Sequence, residues 1–170
     1  AVGWLREYLG SIRLDVSVQP VDGDRTNLFV RVPDAGRPEL VFSTHIDCVP
    51  PFFPSRVEGD RLYGRGACDA KGILAAQVAA AERFRSRGDA RVGMLFVVGE
   101  ERGSDGALAA NARPIGSRYL INGEPTDSTV ASGTRGVLRL KLTARGRAAH
   151  SAAPHVGESA IEKLLDALDR

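Results

Sequence analysis

The chain has 170 residues, of which 43% are hydrophobic and 26% are charged, a composition typical of a globular protein large enough to bury a core. The formal net charge of +2 gives no reason to expect nucleic acid or an anionic membrane as a partner. No apolar stretch approaches the roughly 20 residues that span a bilayer, and the first ten residues lack the apolar core of a signal peptide. We therefore expect a soluble, cytoplasmic protein.

The first third of the chain predicts one helix followed by strands. Residues 1–9 carry apolar side chains at helical spacing. Residues 14–18 and 27–32 alternate apolar and polar side chains, as half-exposed strands do, and a turn sequence at 22–24 separates them. Residues 40–42 form a nearly continuous apolar run, which indicates a central strand covered on both faces.

The middle of the chain alternates helices and strands. Residues 70–87 predict a helix that packs one face on the sheet and ends at Gly88. The residues on that face are Ile73, Ala76, Ala80 and Phe84. Residues 92–98 and, more briefly, 119–121 predict two further central strands, with a weaker helix at 105–112 between them. This order favours an α/β fold with a mostly parallel central sheet and flanking helices.

The pattern changes after about residue 132. The strand predicted next has one wet face, because Leu138, Leu140 and Leu142 alternate with Arg139, Lys141 and Thr143. Residues 159–170 then predict an amphipathic helix, whose apolar face is formed by Ala160, Ile161, Leu164, Leu165 and Leu168. We therefore predict two domains, 1–132 and the first part of a small α+β domain at 133–170.

Acidic residues and one histidine follow the predicted buried strands, in turns rich in small residues. They are His45, Asp47, Asp69, Glu100, Glu101 and Glu124. Open α/β proteins keep their sites at that edge of the sheet, and a mixture of imidazole and carboxylate ligands suits a divalent cation, zinc above all. Singly, His45 could be a core histidine, Asp69 a helix-capping acid and Glu100–Glu101 a solvated turn; their joint placement favours a metal site.

Each of the two cysteines adjoins a candidate site residue. Cys48 follows Asp47 and Cys68 precedes Asp69. Two cysteines are too few for a disulfide framework. They could be soft metal ligands, but carboxylates already fill the ligand roles, so we expect small buried residues packed behind the site.

Five sequence blocks, in this order, resemble the zinc-dependent amidohydrolases and exopeptidases that include acetylornithine deacetylase, succinyl-diaminopimelate desuccinylase, aminoacylase and glutamate carboxypeptidase. The blocks are STHIDCVP at 43–50, GRGACDAKG at 64–72, GEE at 99–101, GEPT at 123–126 and GRAAHS at 146–151. The resemblance implies a zinc-exopeptidase-like domain, followed by a lid domain that also forms a homodimer.

The resemblance also implies a role for each site residue. Two Zn²⁺ ions per complete subunit, replaceable by Co²⁺ or Mn²⁺, would share Asp69; His45 and Glu124 would bind one and Glu101 the other. Asp47 would accept the ring N–H of His45, Glu100 would be the general base toward water, and the Asp69–Ala70 peptide would be cis. His150, in the lid, would contact the substrate carboxylate or oxyanion from the partner subunit, whereas His155 is expected at the surface.

The second ion of this family needs a histidine far downstream, after the lid. The chain ends inside the first lid helix and therefore looks truncated. We expect these 170 residues to bind at most one zinc ion and to be inactive by themselves.

Three functions remain open. The first is removal of an acyl group from an N-acyl amino acid, as in acetylornithine deacetylase. The second is a dipeptidase or carboxypeptidase that cleaves short peptides with the same metals. The third, favoured if the natural chain ends at Arg170, is a non-catalytic metal-binding or dimerisation module.

Overall fold

The computed structural model describes residues 1–136, 138 and 140–169. The chain divides into two compact units, Ala1–Val130 and Ala131–Arg170. This division falls close to the predicted boundary after residue 132. That the two units are a catalytic domain and a lid stays a prediction.

The first unit contains seven strands and three α-helices within its described residues. The strands are β1 (Asp15–Asp22), β2 (Arg25–Arg31), β3 (Leu40–His45), β4 (Arg56–Glu58), β5 (Arg61–Tyr63), β6 (Val92–Val97) and β7 (Tyr119–Asn122). The helices are α1 (Val2–Ser11), α2 (Ile73–Ser86) and α3 (Asp105–Ala112). The predicted elements of this unit are therefore present, with small shifts at their ends.

The main sheet has five strands in the order β1-β2-β6-β3-β7. β3 runs parallel to both β6 and β7, whereas β1 pairs with β2, and β2 with β6, in antiparallel fashion. The predicted α/β fold with a mostly parallel sheet is thus confirmed, because β1, β6, β3 and β7 run in one direction and β2 runs against them. The reversal of β2 follows from the tight turn at Gly23, which has a φ of 48° and joins β1 to β2 as a hairpin.

Both faces of the sheet are covered, as the α/β prediction requires. One core cluster packs Leu5 and Leu9 of α1 and Val78 of α2 against sheet residues that include Met94 and Phe96. On the opposite face, Leu95 and Val97 pack with Val41 and near Ala110 of α3. Alternate side chains of β6 therefore pack into the cores on opposite faces of the sheet, which is why that strand is apolar throughout.

Two predicted faces differ from the structure. The buried residues of α2 are Gln77, Val78 and Ala81, and Ala76 and Phe84 are exposed. Because the helix is rich in alanine, its apolar pattern does not single out one face. β7 was predicted to be covered on both faces, but all four of its residues are exposed, since β7 lies at the edge of the sheet.

The second unit contains α4 (Ala160–Leu168), whose first turn is capped by the Ser159 hydroxyl, which accepts the Glu162 amide at 3.2 Å. An isolated antiparallel bridge joins Arg147 to Glu158. Leu138, Leu140 and Leu142 are exposed and lie outside any strand, so the strand predicted there is not found among the described residues. Arg139 and Arg170, which the predicted strand and helix include, lie outside those residues.

None of the helices in the described ranges has the length and apolar character needed to span a bilayer.

Candidate metal centre

The carboxyl ends of three parallel strands bring the predicted site residues together. β3 ends at His45, whose register partner on β6 is Val97, three residues before Glu100. β7 runs alongside β3 and leads into Glu124. The backbone amide of Gly123 donates to the Ser43 carbonyl at 2.7 Å, which ties the start of that turn to β3. The site thus lies at the edge of the sheet where the parallel strands end and their loops begin.

His45 is buried, with 1% of its surface exposed, and its two ring nitrogens face different groups. Nδ1 lies 3.0 Å from the backbone carbonyl of Asp47 and Nε2 lies 2.8 Å from Asp69 Oδ1. A carbonyl can only accept, so Nδ1 carries a proton there, and Nε2 is the ring nitrogen that could bind a metal in place of the proton it shares with Asp69. Burial by itself lowers the pKa of His45, but the hydrogen bond to Asp69 and the charges of Glu124, Asp69 and Asp47 raise it overall.

Asp47 contacts His45 mainly through its backbone. Its Oδ1 lies 3.6 Å from Nδ1, farther than its own carbonyl oxygen. The two carboxylate oxygens instead accept the backbone amides of Glu100 and Glu101, each at 3.2 Å. The carboxylate predicted to fix the histidine ring therefore holds the turn that carries both glutamates.

Asp69 lies in an irregular turn, Ala67–Gly72, that precedes α2. The turn begins after Gly66, which has a φ of 82° and where a Cβ would come within 2.5 Å of Cys48 Sγ. Only glycine fits both the backbone angle and the space at this position. The Asp69–Ala70 peptide is cis, as the resemblance implies.

Three side chains form a group that could hold a metal ion. His45, Asp69 and Glu101 each offer one ligand atom, and these atoms all lie within 4.8 Å of one another. One imidazole nitrogen and two carboxylate oxygens are a donor set that suits zinc or a similar divalent ion. The residues present therefore fit such an ion.

Glu124 lies at the edge of this group. Its Oε2 is 3.9 Å from His45 Nε2, and its Oε1 accepts from Asn122 at 3.2 Å. Burial, joined by the negative charges of Glu100 and Asp69, raises the pKa of the Glu124 carboxyl against the opposing effect of His45. A carboxyl whose ionised form is disfavoured in this way gains from a nearby cation.

Glu100 has an exposed side chain, and its negative charge is close enough to Glu124 to raise the pKa of that carboxyl. The adjacent Glu101 supplies a candidate ligand. The two neighbours can take different roles because they lie in a short 3-10 turn, Glu100–Arg102, and not in a strand. That Glu100 is the general base stays a prediction.

Three polar residues that support the site escaped the sequence prediction. The buried Gln77 amide donates to the Ser43 carbonyl at 2.8 Å, and the Thr44 hydroxyl donates to the Gly123 carbonyl at 2.8 Å. Asn27, which is fully buried, accepts the Val98 amide at 3.1 Å and donates to the Gly106 carbonyl at 2.8 Å. Nothing in the sequence signalled Asn27, because a polar residue is expected in a strand that alternates apolar and polar side chains.

The cysteines are more exposed than expected. Cys48 is half-buried and Cys68 is exposed, and both are free thiols. The Lys71 ammonium lies 2.7 Å from Cys48 Sγ and donates to the Ile46 carbonyl at 3.2 Å. The polar surroundings of the turn at Ala67–Gly72 explain why these thiols do not pack in an apolar layer.

His150 belongs to the second unit, where its Nδ1 accepts the Ala152 amide at 3.1 Å and its side chain is exposed. Its predicted contact with substrate stays a prediction. His155 is exposed, as expected for a surface residue.

Known proteins similar to this chain carry peptidase names. A "probable carboxypeptidase" of Aspergillus clavatus is 39% identical over 189 aligned positions, which cover 100% of this chain and 42% of that protein. Another, from Aspergillus terreus, is 42% identical over 186 positions, which cover 98% of this chain and 43% of that protein. The chain therefore spans less than half the length of these curated relatives.

A solved structure shares the fold. The crystal structure of aminopeptidase PepT from Bacillus cereus matches 99% of this chain and 50% of its own, with a TM-score of 0.63 at 20% identity. The sequence profile described as Peptidase family M20/M25/M40 matches residues 41–170. The predicted resemblance is thus confirmed for the family, although the two curated relatives are named carboxypeptidase and not deacetylase. This chain belongs to the peptidase family M20/M25/M40.

Proposed function

We propose that the protein, at its full natural length, is a metal-dependent exopeptidase that releases the last amino acid of short peptides, as a carboxypeptidase or dipeptidase does. The observation that carries this proposal is the convergence of ligand atoms from His45, Asp69 and Glu101 within 4.8 Å. The names of the curated relatives support a peptide as the substrate.

Zinc is the metal we propose, with Co²⁺ or Mn²⁺ as substitutes and two ions per complete subunit. His45 and Glu124 would hold one ion, Glu101 the other, and Asp69 both. The short distance between His45 Nε2 and Asp69 Oδ1, 2.8 Å, supports a shared position for these two ligands. Bound zinc supplies Lewis acidity, which makes water more acidic and a carbonyl more electrophilic.

In this proposal, the residues of this chain have different roles in amide hydrolysis. Glu100 takes the proton from the attacking water and returns it to the departing amine, a role for which its exposed carboxylate beside the ligand group is suited. Asp47 keeps Glu100 and Glu101 in place through their backbone amides. His150 would reach the substrate from the lid of a partner subunit in a homodimer.

Hydrolysis of an N-acyl amino acid is the same chemistry on a different acyl group, and it was the first expectation from the sequence. In both kinds of substrate, the nitrogen of the cleaved amide bond belongs to the amino acid that is released. The relatives' names favour a peptide, so N-acetylornithine is the second candidate.

The experiment is a substrate panel with the purified, zinc-loaded protein at its natural length. The panel contains glycyl-leucine, benzyloxycarbonyl-glycyl-leucine and N-acetylornithine, each with and without a chelator. We expect leucine to be released from one or both peptides, and the release to stop with the chelator and return with zinc. Turnover of N-acetylornithine alone would favour the deacylase, and turnover of none of the three would contradict the proposal.

A further inference from the structure

We propose that Arg25 is a positioning residue, which holds the turn that carries Glu100 and Glu101. It acts on that turn through Gly99, which precedes it, and through Asp105, which follows it. The inference rests on the proposed function and deepens it, because this turn supplies the proposed general base and one candidate ligand.

The register of the sheet brings Arg25 to this turn. β2 and β6 are antiparallel, and Leu28 lies opposite Phe96. The same register, continued toward the start of β2, places Arg25 opposite Gly99, just beyond the end of β6. A residue far away in the sequence therefore lies next to the residue from which the turn begins.

Two carboxylates fix the guanidinium of Arg25. Its Nε donates to Asp22 Oδ1 at 2.7 Å and its Nη2 to Asp22 Oδ2 at 2.6 Å, a paired contact that aligns the planes of the two groups. Nη2 also donates to Asp105 Oδ2 at 2.8 Å. Arg25 thus connects the β1–β2 hairpin to Asp105, the first residue of α3.

The same guanidinium lies against the backbone of Gly99. A Cβ at Gly99 would come within 2.7 Å of Arg25 Nη1 and 3.3 Å of Asp105 Oδ2, and the φ of Gly99 is 75°. The Ser104 amide donates to the Gly99 carbonyl at 2.7 Å and closes the turn. Because glycine has the widest choice of backbone angles, a contact from outside the turn is needed to keep Gly99 in one conformation, and Arg25 supplies that contact.

Movement of this turn would displace two side chains of the site. Glu101 belongs to the candidate ligand group, and Glu100 is the proposed base. The Asp47 carboxylate accepts the backbone amides of both residues, whereas Arg25 contacts the two ends of the turn. Arg25, Asp47 and Glu101 line one cavity of about 800 Å³, so both supports act beside the same site.

The contribution of Arg25 should be local, and the chain provides a matched control for it. The side chains of Arg25 and Asp105 are 37% and 42% exposed, and ion pairs this exposed add little to the stability of a whole protein. Arg31 and Asp15 form a similar pair at 2.9 Å, with side chains 41% and 40% exposed. That pair joins the same two strands at their other end.

The test compares Arg25→Ala, Arg25→Lys, Asp105→Ala and the double variant Arg25→Ala/Asp105→Ala with the control Arg31→Ala, all at natural length. Zinc-loaded proteins give kcat and KM for glycyl-leucine and benzyloxycarbonyl-glycyl-leucine. Hydrogen exchange of the metal-free proteins, read by mass spectrometry on peptides that contain Glu100 and Glu101, reports on the turn without turnover. Urea denaturation checks folding, and Arg25→Lys and Asp105→Ala carry the comparison if Arg25→Ala does not fold.

We expect Arg25→Ala to lower kcat roughly 10- to 100-fold with little change in KM, as misplacement of a reacting group by about 1 Å does. Exchange in the turn should become several-fold faster. Arg25→Lys should recover part of both, since an ammonium can pair with a carboxylate but cannot lie flat against the backbone. Asp105→Ala should lower kcat little further in the double variant, because the two residues act through one contact. Arg31→Ala should match wild type in kcat and exchange.

Equal kcat and exchange in Arg25→Ala and Arg31→Ala would overturn the inference and leave the proposed hydrolase intact. A fall in kcat without faster exchange in the turn would overturn it as well. If wild type cleaves neither peptide, the proposed function fails, and hydrogen exchange then decides the role of Arg25 by itself. In that case, equal exchange in wild type and Arg25→Ala refutes the role, and faster exchange in Arg25→Ala alone supports it.

Discussion

At the scale of single residues, Asp47 connects the His45 ring to the turn that carries Glu100 and Glu101. The family resemblance implied that its carboxylate accepts the ring N–H of His45. In the structure, the His45 ring contacts the backbone carbonyl of Asp47, and the Asp47 carboxylate accepts the backbone amides of Glu100 and Glu101. Sequence motifs can single out such a residue. Which of its oxygens accepts from which donor depends on the backbone conformation, and the motifs do not show that conformation.

Asp47→Asn should loosen the turn that carries the glutamates. The substitution replaces one acceptor oxygen with an NH₂ group, which faces one of the two backbone amides and cannot accept from it. We expect faster hydrogen exchange at the Glu100 and Glu101 amides and a lower kcat, while zinc still binds through His45. Asp60→Asn, in an exposed position, is the control. Unchanged exchange together with weak zinc binding would show that the carboxylate acts on His45 after all.

Glu100→Gln should separate chemistry from metal binding. The amide keeps the size of the side chain but cannot take a proton from water, so we expect turnover to fall about 100- to 10,000-fold. Zinc content, measured by atomic absorption, should stay near that of wild type. Glu101→Gln is the matched comparison, because its side chain belongs to the candidate ligand group and its loss should lower zinc affinity. Loss of zinc in Glu100→Gln would make Glu100 a ligand.

At the scale of elements, helices and strands could be located from apolar periodicity, but their surroundings could not. Periodicity placed α3 at 105–112, as the structure has it. It could not show that β7 lies at an edge, because an apolar run reads alike at an edge and in the centre. It could not show either that Leu138, Leu140 and Leu142 lie outside a strand, since alternation alone does not supply a pairing partner.

Asn27 joins several of these elements. From β2 it contacts the end of β6, the start of α3 and Gln19 of β1, whose Oε1 accepts its amide at 2.8 Å. Asn27→Ala would leave these buried partners unsatisfied, and we expect it to lower the free energy of unfolding by about 1–3 kcal/mol. Urea denaturation measures this change. Asn111→Ala, at an exposed position of α3, should change it little, and equal effects of the two would refute the role given to Asn27.

At the scale of the molecule, the family followed from the order of five sequence blocks, and the α/β fold followed from the alternation of predicted helices and strands. The reversed direction of β2 in the sheet could not be predicted, because β2 pairs with β6, a strand that lies far from it in the sequence. The candidate site residues of the first unit were predicted largely through the resemblance. Their convergence at one edge follows from the parallel alignment of β3 with β6 and β7. The supporting polar residues were not found, since their roles depend on tertiary contacts.

The central claim is that His45 anchors a metal centre with Asp69 and Glu101. Calorimetric titration of zinc into the metal-free protein tests it most directly, with wild type, His45→Ala and the exposed control His155→Ala. We predict that His45→Ala weakens zinc binding by more than the roughly 10- to 100-fold that follows loss of a residue that only orients a ligand. His155→Ala should bind as wild type does. Zinc binding of wild-type strength in His45→Ala would contradict the account.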